Sequence, residues 1–211
     1  MFFFPISILI FVILLLLAPI LFFLLQAGIV SVAFTKLGLT PYTGFAFFIL
    51  SLIGSGINIP IKSEETPRIY HDFFAPHMIT ERKCIYINVG GAILPLMLAI
   101  WLLPGAEILP LIISILVVTA VVKVLTRPVK GRGFVIPAFI PPVISAGLAI
   151  LLARGNPAPV AYISGVVGTL LGADILNLGK IYKLESNFVS IGGAGIFDGI
   201  YLVGIISVLL A

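Results

Sequence analysis

The sequence has few charged residues and a single cysteine. Only 9% of its 211 residues are charged, whereas 61% are hydrophobic, and the mean hydropathy is +1.28. A soluble domain of this size needs a polar exterior that this composition does not supply. The lone cysteine, Cys84, excludes an internal disulfide bond. We therefore predict a single integral membrane domain over residues 1–211, with the lipid bilayer as its main partner.

Recognisable metal, phosphate and nucleophile motifs are also missing from the sequence. The long polar segment contains metal-ligand residue types whose spacings match no zinc pattern. These residues are His71, Asp72, His77, Glu81 and Cys84. No phosphate loop, serine elbow or cysteine–histidine arrangement is present. We therefore expect neither a metal nor another cofactor.

Basic residues exceed acidic ones, which gives a net charge of +4 and a pI of about 9.3. In a membrane protein such an excess reflects the orientation of the chain, because positively charged loops stay in the cytoplasm. The basic stretch TRPVKGRG at 126–133 contains no aromatic residue, so an anionic lipid surface explains it better than a nucleic acid does. No nucleic-acid partner is expected.

Seven apolar stretches predict an all-α bundle of about seven transmembrane helices. They cover residues 2–27, 41–57, 88–103, 106–124, 136–153, 158–176 and 192–211. Several are shorter than the ~20 residues of a full span, so tilted or partial spans are compatible with them. The first stretch lacks a basic start and is too long for a signal peptide, so we expect it to stay in the protein. Pro137, Pro141 and Pro142 predict a non-helical entry to the fifth helix.

The distribution of basic residues predicts the orientation of the chain. Ten of the twelve lie in or beside the connections at 58–87, 125–135 and 177–191, which share one side of a seven-span protein. The opposite side has only Lys36 and Arg154. The positive-inside rule then places the N-terminus in the cytoplasm and the C-terminus outside.

Parts of these connections show the alternation of apolar and polar residues that is typical of strands. The pattern is clear in INIPIK at 57–62 and in KCIYINV at 83–89, and it is weaker in KIYKLESNFVSI at 180–191. We therefore expect either a small cytoplasmic β element or irregular loops at this face.

Two of the eight acidic residues, Asp174 and Asp198, fall within predicted spans. A charged side chain near the centre of a bilayer costs at least about 2.5–3.5 kcal/mol, and such residues usually mark a functional site. At the helical rise of about 1.5 Å per residue, Asp174 lies about 22 Å and Asp198 about 20 Å from the outer face. We therefore expect the two carboxylates to lie at one level near the cytoplasmic side and to face each other.

A close pair of carboxylates can act as an acid and a base. Two carboxylates held together cannot easily both ionise, so one keeps a proton while the other stays charged. Together they can activate water against a peptide carbonyl group and protonate the leaving nitrogen. Gly172, Gly195 and Gly199 lie near the acids in the sequence and would let a substrate backbone come close.

These residues resemble the motifs of the GxGD intramembrane aspartyl proteases, the group that contains presenilin, signal peptide peptidase and prepilin peptidase. Gly172-Ala173-Asp174 has alanine in place of the second glycine, and GAGIFD, which ends at Asp198, delays its aspartate by two residues. The Pro-Ala-Leu signature of the family is absent. The resemblance covers the last two predicted spans, and it implies a catalytic pair that cleaves membrane-embedded peptide segments. The whole chain resembles prokaryotic multi-pass membrane proteins, which implies a prokaryotic cell membrane.

Other interpretations of the same residues stay open. The acids could be the titrating groups of a proton- or ion-coupled transporter, or the chain could be a non-catalytic membrane protein. Asp174 could instead be solvated at the end of its span, and Asp198 could stabilise a helix N-terminus. Gly165, Gly168 and Gly172 have the spacing of small residues that seat a neighbouring helix.

Overall fold

The computed structural model describes residues 6–71, 76–129, 133–183, 188–193 and 199–211. Within them the chain forms seven α-helices, α1 (Ile6–Lys36), α2 (Pro41–Gly54), α3 (Leu94–Leu102), α4 (Ile108–Leu125), α5 (Ile140–Leu152), α6 (Pro157–Thr169) and α7 (Gly199–Leu210). The strands are β1 (Asn58–His71), β2 (Pro76–Asn88), β3 (Arg127–Val129), β4 (Gly133–Val135) and β5 (Phe188–Ile191). Two π-helical segments, Val89–Ile93 and Leu170–Asp174, lead into α3 and continue α6, and 3₁₀ segments cover Leu103–Gly105 and Ile175–Lys183.

Proline and capping residues mark where helices begin. Asn156 precedes α6, and its side-chain oxygen accepts a hydrogen bond from the Ala158 N–H at 3.0 Å. As the prolines predict, α5 begins at Ile140 after a non-helical stretch. Pro141 and Pro142 lie in its first turn, where a missing N–H removes no hydrogen bond within the helix.

α6 is the central helix of the bundle. Every residue from Ala158 to Val166 is buried, and α3, α4, α5 and α7 all pack against α6. Small residues let these neighbours come close, since a methyl group on Gly168 would lie 2.7 Å from the Val118 side chain of α4. On the other side, Gly204 of α7 leaves the same kind of room for Tyr162. Close contact through small residues is typical of helices packed in membranes.

The length and composition of the helices are those of a membrane protein. Three helical stretches, Leu15–Lys36, Ile108–Leu125 and Pro157–Gly179, are long and apolar enough to cross a membrane. Large apolar side chains such as Leu109 and Leu116 are exposed along α4. The remaining described helices are shorter, and α5 with its 13 residues is about 20 Å long. Three of the seven predicted spans are thus supported by length and composition.

A three-stranded sheet in the order β1–β2–β5 lies at one end of the bundle, called the sheet end below. β1 and β2 form an antiparallel hairpin with Asn58 opposite Asn88, and β5 runs parallel to β2. This confirms the small β element and both of the clearer strand patterns. The weaker pattern at 180–191 is wrong for its first residues, which belong to the 3₁₀ segment Ile175–Lys183, because β5 pairs with β2 only from Phe188 onwards.

The three basic connections meet at the sheet end. Val189 of β5 is buried in a small apolar cluster with Ile85 of β2, Phe134 of β4 and Leu178 of the second 3₁₀ segment. Ile85 belongs to the connection at 58–87 and Phe134 to the connection at 125–135. Leu178 and Val189 both belong to the connection at 177–191. The helices between the connections therefore leave this end and return to it.

The opposite end of the bundle, called the distal end below, gathers the other connections. Between α3 and α4, Glu107 accepts hydrogen bonds through Oε1 from the backbone N–H groups of Arg154 (2.8 Å) and Gly155 (2.7 Å). The Asn156 side chain donates to the Lys36 carbonyl oxygen at 3.3 Å, which joins the start of α6 to the end of α1. From one helix to the next, the chain alternates between the two ends.

Candidate functional site

Asp174 lies at the sheet end, where α6 changes to π-helical geometry. It is the last residue of the segment Leu170–Asp174 and is partly buried. The fully buried Asn177 donates through Nδ2 to the carbonyl oxygens of Gly172 (2.8 Å) and Ala173 (3.1 Å). These bonds satisfy carbonyl groups at the end of the helix. Single π-helical turns are frequent at functional sites, which makes this segment a candidate functional site.

The Asp174 carboxylate contacts the turn that leads towards α7. Its Oδ2 accepts a hydrogen bond from the Gly192 N–H at 2.9 Å. Gly192 follows β5 directly and has a φ of +81°, a conformation that favours glycine. A side chain would have no room there, since a methyl group would lie 2.6 Å from the Ala92 side chain. Asp174 is thus bonded to the chain six residues before Asp198.

α6 and α7 pack side by side. At the distal end, the Lys36 ammonium group donates to the carbonyl oxygens of Val208 (3.3 Å) and Leu209 (3.1 Å). Asn156, just before α6, bonds to the same lysine. The start of α6 therefore lies near the end of α7, whereas Asp174 lies near the turn before α7. This confirms the predicted antiparallel hairpin of the last two apolar stretches.

Two of the predicted site residues, Asp198 and Gly195, lie outside the described residues. Gly199 is the first residue of α7, so Asp198 directly precedes this helix in the sequence. The predicted meeting of the Asp174 and Asp198 carboxylates therefore stays a prediction. The competing hypothesis, that Asp198 stabilises the N-terminus of α7, is equally compatible with this position in the sequence.

The predicted row of glycines on α6 and its π-helical continuation seats neighbouring helices. A methyl group on Gly172 would lie 2.6 Å from the Thr119 carbonyl oxygen of α4, and α4 also fills the space beside Gly168. Gly165 instead faces α7, where a methyl group would lie 2.6 Å from Ser207 Oγ. The close approach that Gly172 allows is thus an approach of α4 to α6.

Sequence reasoning missed a buried polar cluster at the base of the sheet. The Asn88 side chain donates to the Ser55 carbonyl oxygen (2.7 Å) and to Asn58 Oδ1 (3.1 Å), and it accepts from the Gly91 N–H (2.8 Å). Ser190 of β5 donates to the same Asn58 oxygen at 2.6 Å. The only local signal was an asparagine immediately before an apolar helical stretch, which is a capping pattern. The cluster holds the π-helical segment against which the turn before α7 packs.

Several buried side-chain oxygens inside the bundle have no hydrogen-bond partner among the described residues. They are the hydroxyls of Ser114, Thr119 and Thr169 and the amide oxygen of Asn177. An unpaired polar atom in an apolar interior costs free energy, typically about 1–3 kcal/mol. Such atoms mark positions at which water, an ion or a substrate group would be stabilised.

The described part of the chain forms no metal centre. Within it, no three histidine, cysteine, aspartate or glutamate side chains come close enough to hold an ion. Cys84, one of the ligand types in the polar segment, lies in β2 with its Sγ 3.5 Å from Ser63 Oγ of β1. That the protein works without a metal stays an expectation.

Comparison with known proteins identifies a family without assigning an activity. The family described as "Protein of unknown function (DUF1614)" matches residues 52–210, well over half of the chain. The matched region includes α3 to α7 and both candidate aspartates, Asp174 and Asp198. No curated protein and no solved structure matches the chain.

Proposed function

The chain belongs to the DUF1614 family, and we propose that it is an intramembrane aspartyl protease. In this proposal Asp174 and Asp198 form the catalytic pair, and the substrate is a membrane-embedded peptide segment that is cut near the cytoplasmic face. No cofactor is needed, because two carboxylates supply both the acid and the base. The proposal extends the resemblance of the segments around these two aspartates to GxGD proteases.

The hydrogen bond from the Gly192 N–H to Asp174 carries this proposal. Asp198 follows Gly192 by six residues, and even a fully extended chain of that length spans only about 21 Å. On its other side, Asp198 is followed by α7, which packs antiparallel to the central helix whose continuation ends at Asp174. The second aspartate thus belongs to a short connection that is anchored beside the first.

The proposed reaction is the hydrolysis of a peptide bond by water. The ionised carboxylate takes a proton from the water molecule while the water oxygen attacks the peptide carbonyl carbon. The protonated partner then gives its proton to the amide nitrogen as the C–N bond breaks, which leaves one new carboxyl and one new amino terminus. Asp174 has acceptor capacity for this water, because a carboxylate offers about four lone-pair sites and the described residues fill one of them.

We also propose that all seven helices cross the membrane, with the sheet end in the cytoplasm and the C-terminal end of α7 outside. This topology is supported by the meeting of the three basic connections around Val189, because it requires an even number of crossings between them. Reporter fusions in the β1–β2 hairpin and after Ala211 test the orientation. The hairpin fusion should report a cytoplasmic location and the other an external one. Two fusions that report the same side would contradict the seven-span topology.

Cleavage assays with the full-length protein in liposomes test the catalytic pair. The wild type should cut a helical membrane peptide, whereas Asp174→Asn and Asp198→Asn should each reduce the rate at least about 100-fold, because asparagine is no acid or base. The double variant should be no slower than either single variant, because the two carboxylates act as a unit. Glu107→Gln, which removes a carboxylate at the distal end, is the matched control and should leave cleavage unchanged. Aspartate variants that keep the wild-type rate would contradict the proposal.

A proton- or ion-coupled transporter is the second candidate function. It is favoured by the hydroxyls of Ser114, Thr119 and Thr169, which are buried inside the bundle and which a permeating ion or water molecule would contact. Proton-driven solute uptake into liposomes distinguishes the two candidates. A transporter would take up a solute and cut no peptide, and Asp174→Asn would change the pH dependence of its uptake. A chain that shows neither activity would be a non-catalytic membrane protein.

A further inference from the structure

An open cavity of about 640 Å³ lies at the distal end of the bundle, away from Asp174. It forms where the end of α1, the end of α3 and the start of α6 meet. The residues that line it include Lys36, Trp101 and Asn156. They also include the apolar residues Leu102 and Pro159. A wall that combines one cation with apolar surface suits a ligand that is itself polar at one end and apolar at the other.

The charge of the cavity comes from Lys36, the one ionisable side chain among the described residues that line it. The ammonium group donates to the carbonyl oxygens of Val208 and Leu209, which fixes its position at the end of α7. An ammonium group has three N–H donors, so one remains for a ligand. The last carbonyl groups of α7 carry only the partial negative charge of a helix C-terminus, so they offset the positive charge of the lysine in part. The cavity therefore favours an anion.

The cavity should lie at the depth of lipid head groups. Lys36 is the last residue of the candidate span Leu15–Lys36, where the hydrocarbon core should end. Trp101 lies in the last turns of α3 and is 58% exposed. A basic residue at the end of a span and an exposed tryptophan at the same level are typical of the membrane interface. An interfacial anion is most simply the head group of a lipid.

We propose that this cavity binds the head group of an anionic phospholipid. Lys36 pairs with the phosphate group, and the Asn156 amide, which has a second N–H beside the one given to Lys36, donates to a phosphate or glycerol oxygen. Leu102 and Pro159 contact the first methylene groups of the acyl chains, and the Trp101 ring lies along the lipid. The bound lipid ties α1 to α3 and α6, and its site is independent of the aspartate pair.

Tryptophan fluorescence tests this proposal directly, because Trp101 is the only tryptophan of the chain. The full-length protein is reconstituted into vesicles of mixed composition that contain either dibrominated phosphatidylglycerol or dibrominated phosphatidylcholine, since bromine quenches a nearby indole. We expect the anionic lipid to be preferred at Trp101 roughly fivefold, the effect of one basic residue near a membrane surface. Higher ionic strength should weaken this preference. Equal quenching by the two lipids would overturn the proposal.

Matched lysine variants identify the residue responsible. Lys36→Gln should abolish the preference for the anionic lipid, and Lys36→Arg, which keeps the charge, should retain it. Lys123→Gln removes an exposed lysine from the opposite end of α4 and should leave the preference unchanged. Persistence of the preference in Lys36→Gln, with Lys36→Arg folded and behaving like the wild type, would overturn the assignment.

Inorganic phosphate at millimolar concentration should neither alter Trp101 emission in detergent nor displace the anionic lipid. If it does both, the ligand is a soluble phosphate and the lipid proposal is wrong.

Discussion

At each end of the bundle a carboxylate accepts hydrogen bonds from backbone N–H groups, but the two carboxylates differ in the number of hydrogen bonds that they accept. At the distal end, Glu107 accepts hydrogen bonds from two N–H groups of the connection between α5 and α6. At the sheet end, Asp174 accepts one, from Gly192, among the described residues. Glu107 lies between helices, whereas Asp174 lies inside the candidate span Pro157–Gly179.

This difference distinguishes a carboxylate whose hydrogen bonds join two loops from one that keeps acceptor sites free among the described residues. Hydrogen bonds to a charged group contribute about 1.5–3 kcal/mol each when they are sheltered, and less in an exposed connection, so Glu107 is explained by the two loops that it joins. A carboxylate within an apolar span costs free energy instead, and one hydrogen bond does not offset this cost. The contacts of the described residues therefore explain Glu107, whereas a functional role for Asp174 stays a proposal.

The largest effect on stability should come from Gly192→Ala, compared with Gly38→Ala at the distal end. Both glycines have a φ of +81°, but a methyl group on Gly192 would overlap Ala92, whereas one on Gly38 has nothing within 4 Å. Gly38→Ala should cost only the backbone strain of about 1–2 kcal/mol. Gly192→Ala adds a packing cost of about 1–3 kcal/mol, which gives a total of about 2–5 kcal/mol. Unfolding in detergent measures both, and equal losses would show that the turn before α7 is not packed as described.

Asn88→Ala at the sheet end should cause an intermediate loss of stability. The variant to compare with it is Asn156→Ala at the distal end. Both asparagines cap a helical segment, but Asn88 is buried and Asn156 is exposed. Removing Asn88 leaves the Ser55 carbonyl and the Gly91 N–H without this partner, and we expect a total cost of about 1–3 kcal/mol. Removing Asn156 should cost about 1 kcal/mol, the usual value for a cap that water can replace. Detergent unfolding of the two variants checks the order, and a larger loss for Asn156→Ala would reverse the comparison.

The smallest effects on stability are expected when either of the two carboxylates, Glu107 or Asp174, is replaced by its amide. Glu107→Gln keeps the acceptor oxygen but loses the charge, so it should lower the stability by about 0.5–1 kcal/mol. Asp174→Asn also keeps an acceptor for the Gly192 N–H, but it removes a charge from an apolar span. It should therefore leave the free energy of unfolding unchanged or raise it, as is common when a functional polar residue is replaced. A greater loss for Asp174→Asn than for Glu107→Gln would assign Asp174 a structural role.

Much of the secondary structure was predictable because its causes are local. The fourth apolar stretch, predicted at 106–124, is helical from Ile108 to Leu125. The β1–β2 hairpin follows from an alternating pattern in both of its strands. The second 3₁₀ segment was missed, since its apolar and polar residues also fit a weak strand pattern, and the β5 pairing that limits the strand comes from β2, about a hundred residues earlier in the chain.

The candidate site was predictable only in part. The sequence singled out Asp174, because a charge stands out in an apolar stretch whatever the fold is. It gave no sign that Gly192 would donate to this carboxylate, or that Gly172 would be covered by α4. Both contacts join elements that are far apart in the chain, and no local pattern encodes which elements meet. The Asn88 cluster was missed for the same reason, since its partners lie just after α2, on β1 and on β5.

By itself, the sequence indicated that this protein belongs in a membrane, where several of its helices begin, and that Asp174 lies in an apolar stretch. These properties follow from composition, proline and capping residues, which act through solvation and local backbone geometry. Only the tertiary structure decided what those residues touch. It made α6 the central helix, placed Asp174 on the Gly192 N–H and set Lys36 in a cavity beside Trp101. Those outcomes depend on how small residues let particular helices approach one another, and such close packing is a property of the assembled bundle.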